Sequence, residues 1–273
     1  YNSFKRTYVN FLNQEENNTK GKKQITKTVT NMNEIIDIHS HIIPFVDDGA
    51  GSMEQSLRML EIAASEGISG MIATPHQKAD RRCVTPDGIT KRLQILQEEA
   101  EKLKIPVKLY PGNEIFYRHG LAELLEAGKI RTMADSHYIL IEFLPGEDYS
   151  YIRDALARTA SFGYWPILAH VERYTNVIKD MDKAAELKED TGCYFQVNAS
   201  SVAGDQGLAV KNVVRKLLKM EMVDFAATDT HSDGNRAPRM KKCAAYLEKK
   251  LGTEVAGKLL VENPGYILED RLL

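Results

Sequence analysis

The sequence predicts a parallel α/β barrel of seven strands, and three observations carry that prediction. Short apolar runs alternate seven times with longer amphipathic stretches, the order that builds a parallel sheet from β-α units. The runs are continuous rather than alternately polar, as in strands buried on both faces. No glycine-rich dinucleotide fingerprint follows the first run, and no G-x-x-x-x-G-K-[ST] loop occurs, which argues for a closed barrel over a doubly wound nucleotide-binding sheet. In such a barrel, chemistry collects at the C-terminal ends of the strands.

The strand candidates are 35–39, 70–74, 107–110, 138–142, 165–170, 193–197 and 223–228. Between the first two, "SMEQSLRMLEIAASEG" reads as a helix. Ser52 is its N-cap with Gln55 at the capping-box position, Leu57, Leu60 and Ala64 mark one face, and Gly67 is the stop. Residues 91–103, 205–220 and 238–252 have the same helical pattern. Residues 1–33 differ: they are polar, rich in Asn, Lys and Thr, and aperiodic, and are expected to be a disordered leader or an added extension, with the folded domain at 34–273.

Composition narrows the function. The chain of 273 residues is 43% hydrophobic and 27% charged, as in ordinary globular proteins, and its net charge of −2 points to no nucleic-acid partner. The charge is uneven: residues 1–33 carry six Lys/Arg against two Glu, about +4, and the remainder carries about −6. No apolar run approaches the ~20 residues of a membrane span. Cys83, Cys193 and Cys243 are odd in number and far apart, which fits thiols in a reducing cytoplasm.

The polar residues fall where the strands end. "DIHSH" brings His39 and His41, "ATPH" His76, "YPGNE" Glu114, "ILIE" Glu142, "ILAH" His170 and "ATDTH" Asp229 and His231; of the seven strands, the sixth, "CYFQVN", has no such residue. In an extended strand, residues i and i+2 share a side about 6.6–7 Å apart, so His39 and His41, and likewise Asp229 and His231, can face one ion while Ser40 turns away. Each residue alone is unremarkable as a solvated or core group. Jointly, five of the seven histidines lie at these ends beside carboxylates that would be costly to bury without cations. Imidazoles and carboxylates without thiolates suit Mn²⁺, Fe²⁺ or Zn²⁺. His119 and His137 lie elsewhere and are read as structural or exposed.

The strings "DIHSHIIPFVDDGAGS", "IATPH", "PGNEI", "YILIEF", "ILAHVERY", "ATDTHSDGNR" and "VENPGYIL" resemble the PHP (polymerase and histidinol phosphatase) superfamily over residues 34–273. Within it they look most similar to the metal-dependent protein-tyrosine phosphatases of bacterial capsule and exopolysaccharide operons. The resemblance implies a distorted TIM-like (β/α)7 barrel of PHP type with about three cations, usually Mn²⁺. It implies His39, His41, Glu114 and Asp229 at one ion, Glu114 bridging to a second held with Glu142 and His170, and Asp48, His76 and His231 at the third. Asp47 is read as a loop residue or a support behind the ligands. It further implies phosphate contacts from Arg173 and Arg236, and a phosphotyrosine protein as partner, the tail of a bacterial tyrosine kinase.

Cations at such a site would neutralise phosphoryl oxygens and lower the pKa of bound water toward ~7, supplying hydroxide for in-line attack without a phosphoenzyme. Arginine adds a planar fork for two oxygens. His231 or Asp48 would assist the leaving group. A cysteine mechanism is excluded, because the sixth residue after each cysteine is Ile89, Ala199 or Lys249 rather than arginine. The alternative reading is a small-molecule phosphatase such as a histidinol-phosphate phosphatase. The loop 77–88 offers Arg81 and Arg82 either to substrate or to solvent.

Overall fold

Two of the strands break beside a proline. In the computed structural model, which describes residues 34–78 and 83–273, β1 (Ile35–Ser40) pairs with β2 (Ile68–Ala73), and β2 with β4 (Lys108–Pro111). Pro75 follows β2 and Pro111 ends β4; neither has an N–H to give the ladder. Both strands then resume as short segments, β3 (His76–Gln77) and β5 (Glu114–Phe116), which pair with each other so that His76 faces Glu114. The buried Asn113 amide holds the break together, donating to Pro75 O at 2.8 Å and accepting from Arg131 N–H at 3.0 Å.

From β5 the order continues through β6 (Tyr138–Glu142), β7 (Trp165–Leu168), β8 (Tyr194–Asn198) and β9 (Phe225–Ala227), every pair parallel. Past β9 the chain returns to β1: His41 N–H donates to Thr230 O and Asp229 N–H to His39 O, each at 2.9 Å. The buried Asp37 carboxylate accepts from the Thr228 N–H at 2.9 Å and from its hydroxyl, tying the same edges. Burial pushes Asp37 up to about 6 against those Thr228 bonds. The seven expected strands are thus present around a distorted barrel, two of them split, making nine segments among the described residues.

Two apolar layers fix this arrangement. Ile38, Ile72, Leu140, Ile167, Ala169, Phe225 and Ala227 fill the barrel, and Tyr138 and Ile267 of the last helix, Asn263–Leu268, join them. The opposite faces pack on the helices through a larger cluster that includes Met59, Leu96, Leu156 and Leu217. Burial on both faces is why the strands lack polar alternation.

The helices differ in detail from expectation. Met53–Ser65 has Ser52 as N-cap, accepting from Gln55 N–H at 3.1 Å, a cap contributing ~1 kcal/mol. The Gln55 amide oxygen accepts from Gly51 N–H instead of closing the box on Ser52. The buried stripe is Ser56, Met59, Leu60 and Ala63, so Leu57 and Ala64 sit only at its margin. Gly67 takes φ +88, as the stop requires. The next helix begins at Pro86, capped by Thr85, five residues earlier than periodicity suggested, because its first turn carries little apolar signal. The later helices are Leu208–Lys219 and Lys241–Leu251. Among the described residues, no helix is long and apolar enough to cross a membrane. Residues 1–33 and the pair Arg81 and Arg82 lie outside the described residues.

Candidate metal centre

The loop from His41 to Gly51 carries the densest set of donors, and it is held rigidly. Phe45 N–H donates to Ala50 O and Ala50 N–H to His41 O, both at 3.0 Å. Gly49 crosses directly over His41: a Cβ there would lie 2.1 Å from His41 O, so only glycine fits. Asp47 does not enter the cluster. Its carboxylate accepts from His41 Nδ1 at 2.7 Å, from Gly49 N–H at 2.9 Å and from His76 N–H at 3.0 Å, which makes it a support behind two candidate ligands.

The structure converges eight of the nine expected ligands on one buried spot and sets the ninth, Asp48, at its rim. Glu114 is 1% exposed, and four imidazoles surround it: His39 Nε2 and His41 Nε2 at 3.3 Å, His76 Nδ1 and His170 Nε2 at 2.9 Å. Glu142 Oε1 is 3.1 Å from His76 Nδ1, and its Oε2 is 3.9 Å from His170 Nε2. Asp229 Oδ1 lies 3.5 Å from His39 Nε2 and 3.5 Å from His231 Nδ1. Asp48, 61% exposed, has Oδ1 3.4 Å from His76 Nε2 and 3.7 Å from His231 Nε2.

His39 Nδ1 faces Gln196 Oε1 at 3.2 Å and His41 Nδ1 faces Asp47 Oδ2, so both rings turn Nε2 inward. The two Nε2 atoms face one another across 3.3 Å beside Glu114, a spacing that a proton or a cation between them would stabilise. His76 Nδ1, Glu114 Oε2, Glu142 Oε1 and His170 Nδ1 are buried and make no hydrogen bond, despite the short approaches of the first three. Such unpaired buried groups cost about 1–3 kcal/mol each.

The titration of the same groups reports an environment that attracts positive charge. Burial pulls His41 down, yet the bond to Asp47 and the charge of Glu114 raise it to about 10; His76, partly buried, is raised to about 9 by Glu114 and Glu142. Burial would raise Glu114, but the charge of His39 and the bonds from His170 and His39 hold it well below the usual carboxylate range, and His39 acts similarly on buried Asp229. His231 is the exception: burial and the neighbouring His41 lower it to about 4, which keeps its Nε2 lone pair free.

Donors bound to one ion at ~2.1 Å lie at most ~4.2 Å apart. Three groups have donor atoms within 4.8 Å of one another: His41, Asp48, His76 and His231; His39, His41 and Asp229; His76, Glu114 and Glu142. The donor set fits divalent cations. The grouping differs from the partition given above, because His76 takes the place of His170 beside Glu114 and Glu142, and His41 also joins the outer group.

Expectations about two strands are corrected. Asp229 has φ +52 and His170 φ +36, left-handed values that are rare for residues with a Cβ, and β9 and β7 end before them at Ala227 and Leu168. Asp229 and His231 therefore meet through a sharp bend rather than through i, i+2 alternation; His39 and His41 keep the extended geometry, with Ser40 Oγ donating to Ile72 O at 2.8 Å on the far side. The sixth strand holds none of the grouped donors, as expected, but it supports the others from behind. Buried Gln196 Oε1 also accepts from His170 N–H at 2.8 Å, its amide donates to Asn198 Oδ1, and Asn198 Nδ2 donates to Asp229 Oδ2 at 2.9 Å. The signal was legible: Gln196 and Asn198 are polar at i and i+2 of an apolar run.

Arg173 and Arg236 both reach the cluster. Arg173 Nη2 donates to Asp229 Oδ2 at 2.7 Å, and Arg236 Nη2 lies 2.9 Å from Asp229 Oδ1 and donates to Asp229 O at 3.1 Å. Both side chains remain partly open to solvent. His119 and His137 are exposed, the latter against Asp270 at 2.9 Å.

Asp47→Ala should weaken cation binding by roughly 10–100-fold, because it frees His41 to rotate. Titration of the apoprotein with Mn²⁺ measures this, and unchanged affinity would show that the loop alone orients His41.

Residues 35–269 match the family model described as capsular polysaccharide synthesis, CpsB/CapC. The tyrosine-protein phosphatase CpsB of Streptococcus pneumoniae is 32% identical over 244 residues, 88% of this chain and 100% of the relative. The tyrosine-protein phosphatase YwqE of Bacillus subtilis is 30% identical over 239 residues, 88% of this chain and 93% of the relative. A crystal structure from work on these two proteins, described as unique metal-dependent tyrosine phosphatases, superposes with a TM-score of 0.82 at 29% identity, covering 88% of this chain and 96% of that one. A phosphotriesterase homology protein from Escherichia coli shares the fold, with a TM-score of 0.54 at 9% identity.

Proposed function

The chain belongs to the CpsB/CapC family of capsular polysaccharide synthesis, and from that premise we propose that it hydrolyses phosphotyrosine on proteins with the help of divalent cations. The observation that carries the reading is the pair of Nε2 atoms on His39 and His41, 3.3 Å apart and buried beside Glu114. About three Mn²⁺ ions are proposed, held by His39, His41, Asp48, His76, Glu114, Glu142, His170, Asp229 and His231. When bound, they supply positive charge to the phosphoryl oxygens and acidify water.

The remaining steps fall to the chain itself. Arg173 and Arg236 bind the phosphoryl group: each uses one Nη2 on Asp229 and has further N–H donors for phosphate oxygens. Sharing Asp229 aligns the two guanidiniums with the ligand set. Asp47 and Gln196 hold the His41 and His39 rings with Nε2 turned inward. Asp48 stands at the solvent edge, where a proton can reach the leaving oxygen, and the buried His231 lies 3.7 Å behind it as the other candidate for that transfer. The demand is modest, since a tyrosine phenolate leaves with a pKa near ~10.

The partner in this reading is the phosphorylated tail of a bacterial tyrosine kinase that controls polysaccharide export, and the compartment is the cytoplasm. Buried Cys193 and Cys243 support a reducing compartment: both are free thiols, and burial pushes Cys193 up to about 12. The alternative is a small-molecule phosphatase acting on histidinol phosphate. Comparison of kcat/KM for a phosphotyrosine peptide, the matching phosphoserine peptide and histidinol phosphate, at saturating Mn²⁺, tests it. The phosphotyrosine peptide should lead by roughly a hundredfold, ~2.7 kcal/mol. Preference for histidinol phosphate would move the protein to the alternative.

A further inference from the structure

Beside the metal centre lies a cavity of about 180 Å³, on the order of six waters at ~30 Å³ each. Arg173, Asp229 and Arg236 form part of its wall and belong to the centre described above; Asp205, Asn235 and Arg239 also line it and do not. Arg173 and Arg236 are engaged with Asp229. Arg239 is exposed, and among the described residues no ion pair holds its guanidinium. The other carboxylate in the wall, Asp205, has its own cation, Lys242 Nζ at 3.4 Å.

Three arginines thus line a space whose two carboxylates are already matched. A polar cavity of that size and charge suits one more oxyanion, and the arginine fork has the geometry for a carboxylate or a phosphate. We infer that this cavity binds a second anionic group of the substrate beside the phosphate under attack, and that Arg239 sets a preference for phosphotyrosine flanked by negative charge. The inference rests on the phosphatase reading and names the substrate class for that same site.

The test uses the Mn²⁺-loaded protein and three phosphotyrosine peptides that differ only in the adjacent residue: alanine, aspartate or phosphoserine. Wild-type kcat/KM for the two anionic peptides should exceed that for the alanine peptide by about fivefold, or ~1 kcal/mol, the scale of a partly exposed ion pair. Salt at about 0.5 M should shrink the preference, since the contact is open to screening. Arg239→Gln should bring all three peptides within about twofold, and Arg239→Lys should keep part of the preference. Because Arg239 is exposed, the melting temperature of both variants should match the wild type, which separates a specificity effect from unfolding. A lead for the phosphoserine peptide alone would identify a phosphate as the second group; a lead for both would show that a carboxylate suffices. Equal hydrolysis of all three peptides by the wild type, or an undiminished preference in Arg239→Gln, would overturn the inference while leaving the phosphatase reading intact. Hydrolysis of none of them would overturn the phosphatase reading itself.

Discussion

Chelation of divalent cations should abolish hydrolysis of an aryl phosphate by this protein, and Mn²⁺ should restore it. The expected loss is on the order of a thousandfold or more, because the charge that neutralises the phosphoryl group comes from the cations and no cysteine nucleophile is present to replace them. The geometry gives the reason for dependence. Glu114 and Asp229 are nearly completely buried among five imidazoles, two of which turn Nε2 toward each other across 3.3 Å. Stability supplies a second readout. A ligand at a hundred times its Kd stabilises the native state by about 2.7 kcal/mol. In a domain of this size that corresponds to a rise in Tm of roughly 5–10 °C. Full activity in a preparation shown to be free of metal would defeat the assignment of the site.

Glu114→Gln should be the most damaging single substitution in the ligand set. The side chain keeps its volume, so the effect isolates the charge. Four imidazole nitrogens stand within 3.3 Å of its two oxygens, from three separate segments of the chain. Exchanging one oxygen for an amide nitrogen turns an acceptor into a donor facing those rings. Turnover should fall on the order of 10³-fold, and metal analysis should show more than one ion lost per chain. Asp48→Ala, at the exposed rim, should cost less, roughly 10–100-fold. Near-normal turnover with full metal content in Glu114→Gln would contradict the central role given to it.

Much of this site is written in local sequence. His39, His41, His76, Glu114, Glu142, His170, Asp229 and His231 announce themselves because imidazoles and carboxylates rarely end buried apolar runs without a cation. The turn "VDDGAG" is a different case, since what demands Gly49 there is the close pass over His41, which the structure alone shows. The left-handed bends at His170 and Asp229 were not legible. Nothing in "ILAH" or "ATDTH" distinguishes a strand that continues from one that turns, because such residues accept positive φ only when surrounding contacts hold them there. The inward shift of the helix stripe from Leu57 to Ser56 and Met59 has the same origin: several faces of that segment are apolar enough to bury, and the barrel selects one.

By itself the sequence determined the elements and the chemistry. Apolar runs between helical stretches dictated a parallel barrel, and the types of the terminal side chains pointed to metal ligands. Only the tertiary structure decided which donors lie within reach of one another, which residues stand behind them and where the arginines point. Those outcomes depend on ring closure. The contacts of His41 with Thr230, of Asp37 with Thr228 and of His39 with Gln196 each join residues more than 150 positions apart. Local propensity extends over a few residues and a strand fixes only its own alternation, so the meeting of Asp47, Gln196 and Asn198 with the ligands follows from how the strands pack into one ring.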